Sequence, residues 1–217
     1  MEGNYSISNP LLRIFLLATL GLATPAASIA QQAGKPLPTA AELKKDLAII
    51  EASTEGESEA LDQLMSKTAR QLVAYLGAHD LSKAAAENLG LDLSVDSKDA
   101  AHFKVYTYSY SSGGTRGTIH RPVFQWQNAA GKLFAYRPDK ECDFSEIYKL
   151  ATPGRTQYLL LGAEKGDSQC LSYEAHVIEL KGNYLLLDNP AFGKGPTIHL
   201  CNVEMTFDAS QQALRLD

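Results

Sequence analysis

Five histidines, three cysteines and a generous supply of carboxylates are the residues through which this chain could hold a metal or carry a covalent reaction. His199 and Cys201, two positions apart, would share one face of a strand, and His176 lies on another strand that could neighbour it. Zinc or copper needs such nitrogen and sulfur ligands to converge with at least one more. No third ligand is identifiable, and Cys201 is equally well explained as a small hydrophobe beside Val203, so no metal site is assigned. Asp92, Ser94, Asp96 and Asp99 offer oxygens at nearly the intervals of a calcium loop, but the turn glycine is missing and Phe103 stands where a bidentate Glu belongs. That stretch is expected to be a polar linker. Asp188 to Gly195 ends in Gly-Lys-Gly without the leading Gly or the magnesium-holding Ser/Thr of a phosphate loop, and reads as a solvent loop.

Nucleophilic chemistry is equally thin. There is no Gly-x-Ser-x-Gly elbow. A Cys201 thiolate activated by His176 or His120 stays open, because such partners meet in space rather than in sequence. No catalytic residue and no cofactor is assigned on this footing.

The stretch from Phe103 to Trp126 carries the one pattern with a binding reading. Tyr106, Tyr108 and Tyr110 recur at every second position, a Gly-rich turn follows, and Val123, Phe124 and Trp126 lie on the return. Alternation around a Gly-rich turn is the mark of a β-hairpin. Tyr106, Tyr108, Tyr110 and Trp126, with Arg116 near the turn, would form a face suited to sugars or peptides. The competing expectation is that these rings pack beneath the helices that precede them, since aromatics favour strands for packing alone.

Those helices are legible from their caps. Thr39 and Glu42 have capping-box spacing, and Leu43, Leu47 and Ile50 follow on one face, which predicts a helix over 40–52. Thr54 and Glu57 repeat the spacing ahead of an apolar stripe through Leu61, Leu64, Met65, Leu72, Val73 and Leu76, with Gly77 as the stop. A third, short helix is expected from a cap at Asp80 to Gly90. From residue 103 onward the period is two, and strands are expected over 104–110, 118–127, 133–136, 146–150, 157–162, 172–180, 184–187, 197–207 and 213–216. Their links are short and turn-like, which favours antiparallel pairing. Helices first and strands afterwards give an α+β class, with N-terminal helices on a meander-like antiparallel sheet or small sandwich. No repeat of propeller length recurs.

Residues 1–30 stand apart. Arg13 precedes an apolar run, Ile14 to Ala23, and small residues end at Ala27-Ser28-Ile29-Ala30, the layout of a secretory signal peptide with Gln31 as the mature start. The run is about half the length that spans a bilayer. Residues 31–38 read as a flexible segment, and 39–217 as a single domain, long enough for one well-buried core. A net charge of −5 without a basic run argues against nucleic acid or anionic lipid as the partner. Export permits a disulfide, and an odd cysteine count leaves a thiol over. Cys142 and Cys170, which bracket one predicted strand and turn, are the expected pair; three reduced, buried cysteines are the alternative.

The runs KVYTYSYSSGGTRGTIHRPVFQWQN, IYKL, TQYLLLGAEKGDS and YEAHVIELKGNYL resemble a group of uncharacterised exported α+β proteins of Gram-negative bacteria over about residues 103–187. The resemblance implies export and a β-rich C-terminal part, and brings no activity with it. The expectation is a periplasmic or extracellular, non-enzymatic binding module whose sheet face meets a glycan, a peptide or an envelope protein. A secreted hydrolase with a His/Cys or carboxylate site is the alternative.

Overall fold

The computed structural model describes residues 5–6, 37–99, 102–167, 169–193 and 195–217. The signal peptide expected over 1–30 and the segment over 31–38 lie outside these, apart from Tyr5–Ser6 (β1) and the two residues before Thr39. Among the described residues three helices follow β1 and antiparallel strands follow the helices, the α+β class.

Helix α1 (Ala40–Glu51) starts on the Thr39 capping box: Thr39 Oγ1 accepts from the Glu42 amide at 3.2 Å, and the Glu42 carboxylate accepts from the Thr39 amide at 2.8 Å. Both orphan donors of the first turn are thereby satisfied. Helix α2 (Glu59–Leu76) begins four residues later than Thr54 would place it, capped by Ser58. The reason is long-range: Thr54 bridges to Ser111 and the Glu55 amide donates to the Ser111 carbonyl at 2.8 Å, so this stretch is tied to a strand end and cannot coil. Helix α3 (Lys83–Leu89) is likewise capped by Ser82 and not Asp80, because Asp80 is drawn off to the ammonium of Lys104. Gly90, at φ +84°, supplies the left-handed turn that ends it.

Two sheets follow. The first has the order β2 (Asp92–Val95), β3 (Phe103–Ser111), β4 (Thr118–Gln127), β5 (Leu133–Tyr136). The second runs β10 (Thr197–Cys201), β8 (Leu171–Lys181), β7 (Thr156–Lys165), β6 (Asp143–Lys149), with β9 (Tyr184–Leu186) on the far half of β8. A third, small sheet orders β1, β12 (Ala213–Leu216) and β11 (Met205–Asp208). Expected strand 197–207 is thus two strands in two sheets. Strand β2 occupies what reads in sequence as a linker; it exists because β3 offers an edge, pairing Asp92 with Thr107 through Val95 with Lys104. The Asp96 and Asp99 carboxylates are spent on protein partners. Asp96 accepts from the amides of Lys98 and Lys149, and Asp99 from Tyr158, His102 and Lys149.

Both faces of β3 and β4 are buried. Leu43, Leu47, Ile50, Leu72 and Leu76 cluster with Tyr106, Tyr108, Tyr110, Ile119 and Val123. On the opposite face Phe103, Val105, Phe124 and Trp126 cluster with Phe144, Ile147, Tyr158, Leu160 and Ile178 of the second sheet. The outer face of that sheet, Leu159, Leu161, Ala175 and Val177, meets Met205 and Leu214 of the third.

Candidate functional site

The aromatic hairpin is not a surface. Tyr106, Tyr108, Tyr110 and Trp126 are 0, 5, 3 and 6% exposed. Nor do they share a face: the β3–β4 register sets Phe103 against Trp126 and Tyr106 against Val123, so Trp126 points to the side opposite the three tyrosines. Packing won over display because both faces of β3 are covered. The Tyr106 hydroxyl shows how the polar tip is accommodated. It donates to Gln125 Oε1 at 3.1 Å and accepts from the Leu81 amide, while Gln125 Nε2 donates to the carbonyls of Leu76 and His79. Burial raises the Tyr106, Tyr108 and Tyr110 hydroxyls above their ordinary titration range. Arg116, the remaining member of the expected surface, is directed to the Glu141 carboxylate, whose other oxygen takes Arg121 at 2.7 Å.

The cysteine pairing also differs from expectation. Cys170 is bonded to Cys201, with their Cα atoms 5.3 Å apart, and Cys142 is the free, buried thiol. The sheet order explains it. β8 pairs β10 with Ser172 opposite Cys201, whereas β7 lies between β8 and the start of β6 beside Cys142. Two strand spacings, about 10 Å, exceed what a disulfide can bridge. Cys201 therefore offers neither a metal ligand nor a thiolate. Burial lifts the Cys142 thiol far above its ordinary range, which leaves it inert near neutrality.

Chemistry gathers instead where the second sheet faces the first beyond the aromatic cluster. Alternate residues of β8, Ser172, Glu174 and His176, point inward; the register places Glu164 beside Ser172, Gly162 beside Glu174, and His199 beside Glu174 from the other flank. Glu164, Ser172, Glu174 and His199 of this set border a cavity of about 320 Å³, which Arg116, Glu141 and Cys142 also line. Gly162 is required by close approach: a Cβ there would stand 2.3 Å from the Asp143 carbonyl oxygen and 2.8 Å from Cys142 Sγ. That contact sits at the register shift between Asp143 and Glu146.

Most charges in this region are matched. Lys140 Nζ lies 2.5 Å from Glu174 Oε1, and His176 Nδ1 lies 3.5 Å from the same oxygen. Burial alone would raise the Glu174 carboxyl, but the His176 and Lys140 hydrogen bonds outweigh it and the net shift is downward. His120 donates from Nδ1 to Glu164 Oε2 at 2.9 Å, and this hydrogen bond raises the imidazole above its ordinary value against the opposing effect of burial. Burial raises the neighbouring Asp143 carboxyl. Ser172 Oγ and His199 Nε2 are in hydrogen-bond contact. One atom stands out: Glu164 Oε1 is buried with no hydrogen-bond partner among the described residues.

Sequence reasoning recognised that His199 could neighbour His176 through paired strands, but passed over Glu164, Ser172 and Glu174. The available signal was a period-two polar run, Ser172-x-Glu174-x-His176, on a strand whose intervening residues are Tyr173 and Ala175. Both sides of that strand had to be inside for the run to have meaning. Among the described residues no group of three or more His, Cys, Asp or Glu side chains is placed to hold a metal ion, and no helix is long and apolar enough to cross a membrane. Comparison of the chain with known protein families, with curated proteins and with solved structures found no match.

Proposed function

We propose that this chain is an exported binding module whose ligand enters the polar end of the space between the two sheets, with the helix layer a fixed cover over the tyrosine face. The observation that carries this reading is Glu164: a side chain 7% exposed, bordering a cavity, with one carboxylate oxygen unsatisfied. Leaving a buried acceptor unpaired is costly, and folded proteins retain such atoms mainly where a ligand, water or reaction supplies the missing donor. The Cys170–Cys201 disulfide and the lack of a membrane-spanning helix among the described residues accord with an exported protein of the periplasm or cell exterior. The resemblance to exported Gram-negative proteins supports the same address, and the partner is then a glycan, a peptide or an envelope protein that offers a small polar group to the cavity. Titration of the isotopically labelled mature chain with a panel of saccharides and short peptides tests this. Shifts of the backbone amides of residues 162–165 and 172–174 are expected, whereas perturbations confined to other strands would overturn the reading.

A second reading, a hydrolase, is favoured by the Ser172–His199 contact. A histidine nitrogen against a serine oxygen is the first half of a nucleophile–base pair. No ion pair among the described residues brings a carboxylate to the other nitrogen of His199, so the orienting third member is missing. Covalent labelling of Ser172 by a fluorophosphonate, lost in Ser172→Ala, would establish this chemistry; wild-type protein left unlabelled would end it.

A further inference from the structure

The carboxylates around the cavity are not equally provided for, and the difference specifies what the cavity takes. Glu141 has a guanidinium on each oxygen, from Arg116 and Arg121. Glu174 has the permanent charge of Lys140 and a further contact from His176. Among the described residues Glu164 pairs with His120 alone, a partner that is charged in one protonation state and neutral in the other, and that partner occupies Oε2. Oε1 is the unfilled position. Ser172, opposite Glu164 in the β7–β8 register, carries its hydroxyl on the same face of the sheet, and Ser172 in turn touches His199.

We infer that the cavity recognises a primary ammonium group, seated on Glu164 Oε1 with Ser172 Oγ as a second acceptor. This rests on the binding-module reading above and narrows it to a ligand class: amino sugars, or peptides through a free amine. The number of free oxygens selects among cations. A guanidinium is read best by a fork of two acceptors, and His120 already takes one oxygen of Glu164. An ammonium is a compact point charge with three donors and needs only one oxygen from each neighbour. A hydroxyl would satisfy the hydrogen bond and leave the charge of Glu164 to His120, which answers it in only one protonation state; an ammonium supplies both the donor and a charge that stays. A volume of about 320 Å³ admits the head of such a ligand, and Arg116 at the rim can meet an anionic or hydroxylated remainder.

Matched probes test this. D-glucosamine, N-acetyl-D-glucosamine and D-glucose differ in whether an amine is charged, capped or absent, and triglycine and N-acetyl-triglycine repeat the contrast on a peptide. Binding to the mature chain is read from the amide shifts of Glu164 and Ser172. The free amine of each set is expected to bind at least ten-fold more tightly than its capped partner, and Glu164→Gln, which keeps the size of the side chain, should erase that difference. If capped and free forms bind alike, or the capped form binds better, with shifts still at Glu164 and Ser172, the ammonium inference is overturned and the binding site stands. If none of the five moves those amides, both fall. Should Glu164→Gln fail to fold by amide-shift dispersion, the ordering of the amine and acetyl forms on the wild-type chain decides the matter alone.

Discussion

The inward face of the β7–β8 pair is two environments built from one stretch of ladder. Toward one end Tyr158, Leu160 and Ile178, with Phe144 of the neighbouring β6, interlock with Phe103 and Phe124 of the facing sheet. Toward the other, Glu164, Ser172, Glu174 and His176 face His120 and the chain around Glu141 and Cys142. Backbone pairing is continuous through both, from Thr156 opposite Leu180 to Lys165 opposite Leu171. What differs is what holds the layers together. The apolar end gains from every ring removed from water, whereas buried polar groups roughly break even when matched and cost when they are not. If the proposed binding reading holds, stability and function are separated along a single strand pair: one end is packed with rings while the other keeps a Glu164 oxygen unsatisfied among the described residues.

This contrast can be broken most directly by truncation at each end. Phe124→Ala removes a fully buried ring that meets both Phe103 and Phe144, and should destabilise by about 3–5 kcal/mol in urea unfolding. Ser172→Ala should cost no more than about 1 kcal/mol, the net worth of an ordinary hydrogen bond. Equal costs would mean that the polar end is part of the structural core and the separation is false.

The polar end does have one strong support, and it is covalent. Cys170–Cys201 ties β8 to β10 next to Ser172 and His199, closing a loop between residues 31 apart in sequence. By the entropy of that loop, the paired Cys170→Ser and Cys201→Ser change should lower stability by about 3–4 kcal/mol. Amide exchange should show where the loss falls: β10 should lose protection while β3 and β4 keep theirs. A uniform loss over both sheets would indicate one cooperative unit without distinct ends. Smaller still is the effect at the boundary. Gly162→Ala forces a methyl against the Asp143 carbonyl and Cys142, so β6 must shift, at a cost of about 1–3 kcal/mol. The shift should appear in the chemical shifts of Cys142 and Asp143 and leave Phe103 unmoved.

The two ends also differ in how far the sequence disclosed them. Local signals carried the helices and hairpins: the Thr39–Glu42 box, the 118–127 and 133–136 strands and the short turns all stand where periodicity and capping place them. Signals that depend on a distant partner did not. Thr54 looks like a helix cap until Ser111 claims its neighbour, and β2 looks like a linker until β3 lends it an edge. The tyrosine alternation revealed a strand with one apolar side, but Phe103, Val105 and Phe124 made the other side apolar too, and a strand buried twice has no display face. The candidate site was invisible for a related reason. Glu164, Ser172 and His199 come from three strands, and their meeting depends on the order β7-β8-β10, which short turns alone do not specify.

The finest difference between the ends is a histidine at the polar one whose proton the fold helps to hold. His120 faces Glu164 on β7 directly, and Asp143 on β6 and Asp92 on β2 add their fields at longer range. The hydrogen bond to Glu164 is the largest influence, burial opposes it, and the net result is an imidazole that holds its proton more tightly in the folded chain than in the unfolded one. A group with a raised folded value stabilises fully below its unfolded pKa, about 6.5 for histidine, and that contribution drains away as pH climbs through the folded value. His120→Gln keeps a neutral hydrogen-bond donor and removes the charge. The wild-type advantage over this variant should therefore be largest below about pH 6.5, no more than about 1 kcal/mol for a partly exposed pair, and should shrink as pH climbs above that value. Melting temperatures on either side of it provide the measurement, with a difference of at most about 4 °C at the acidic end. A difference that grew with pH would show that Glu164 disfavours the charged imidazole, and with it would go the picture of a carboxylate whose one partner among the described residues is a histidine that can let go.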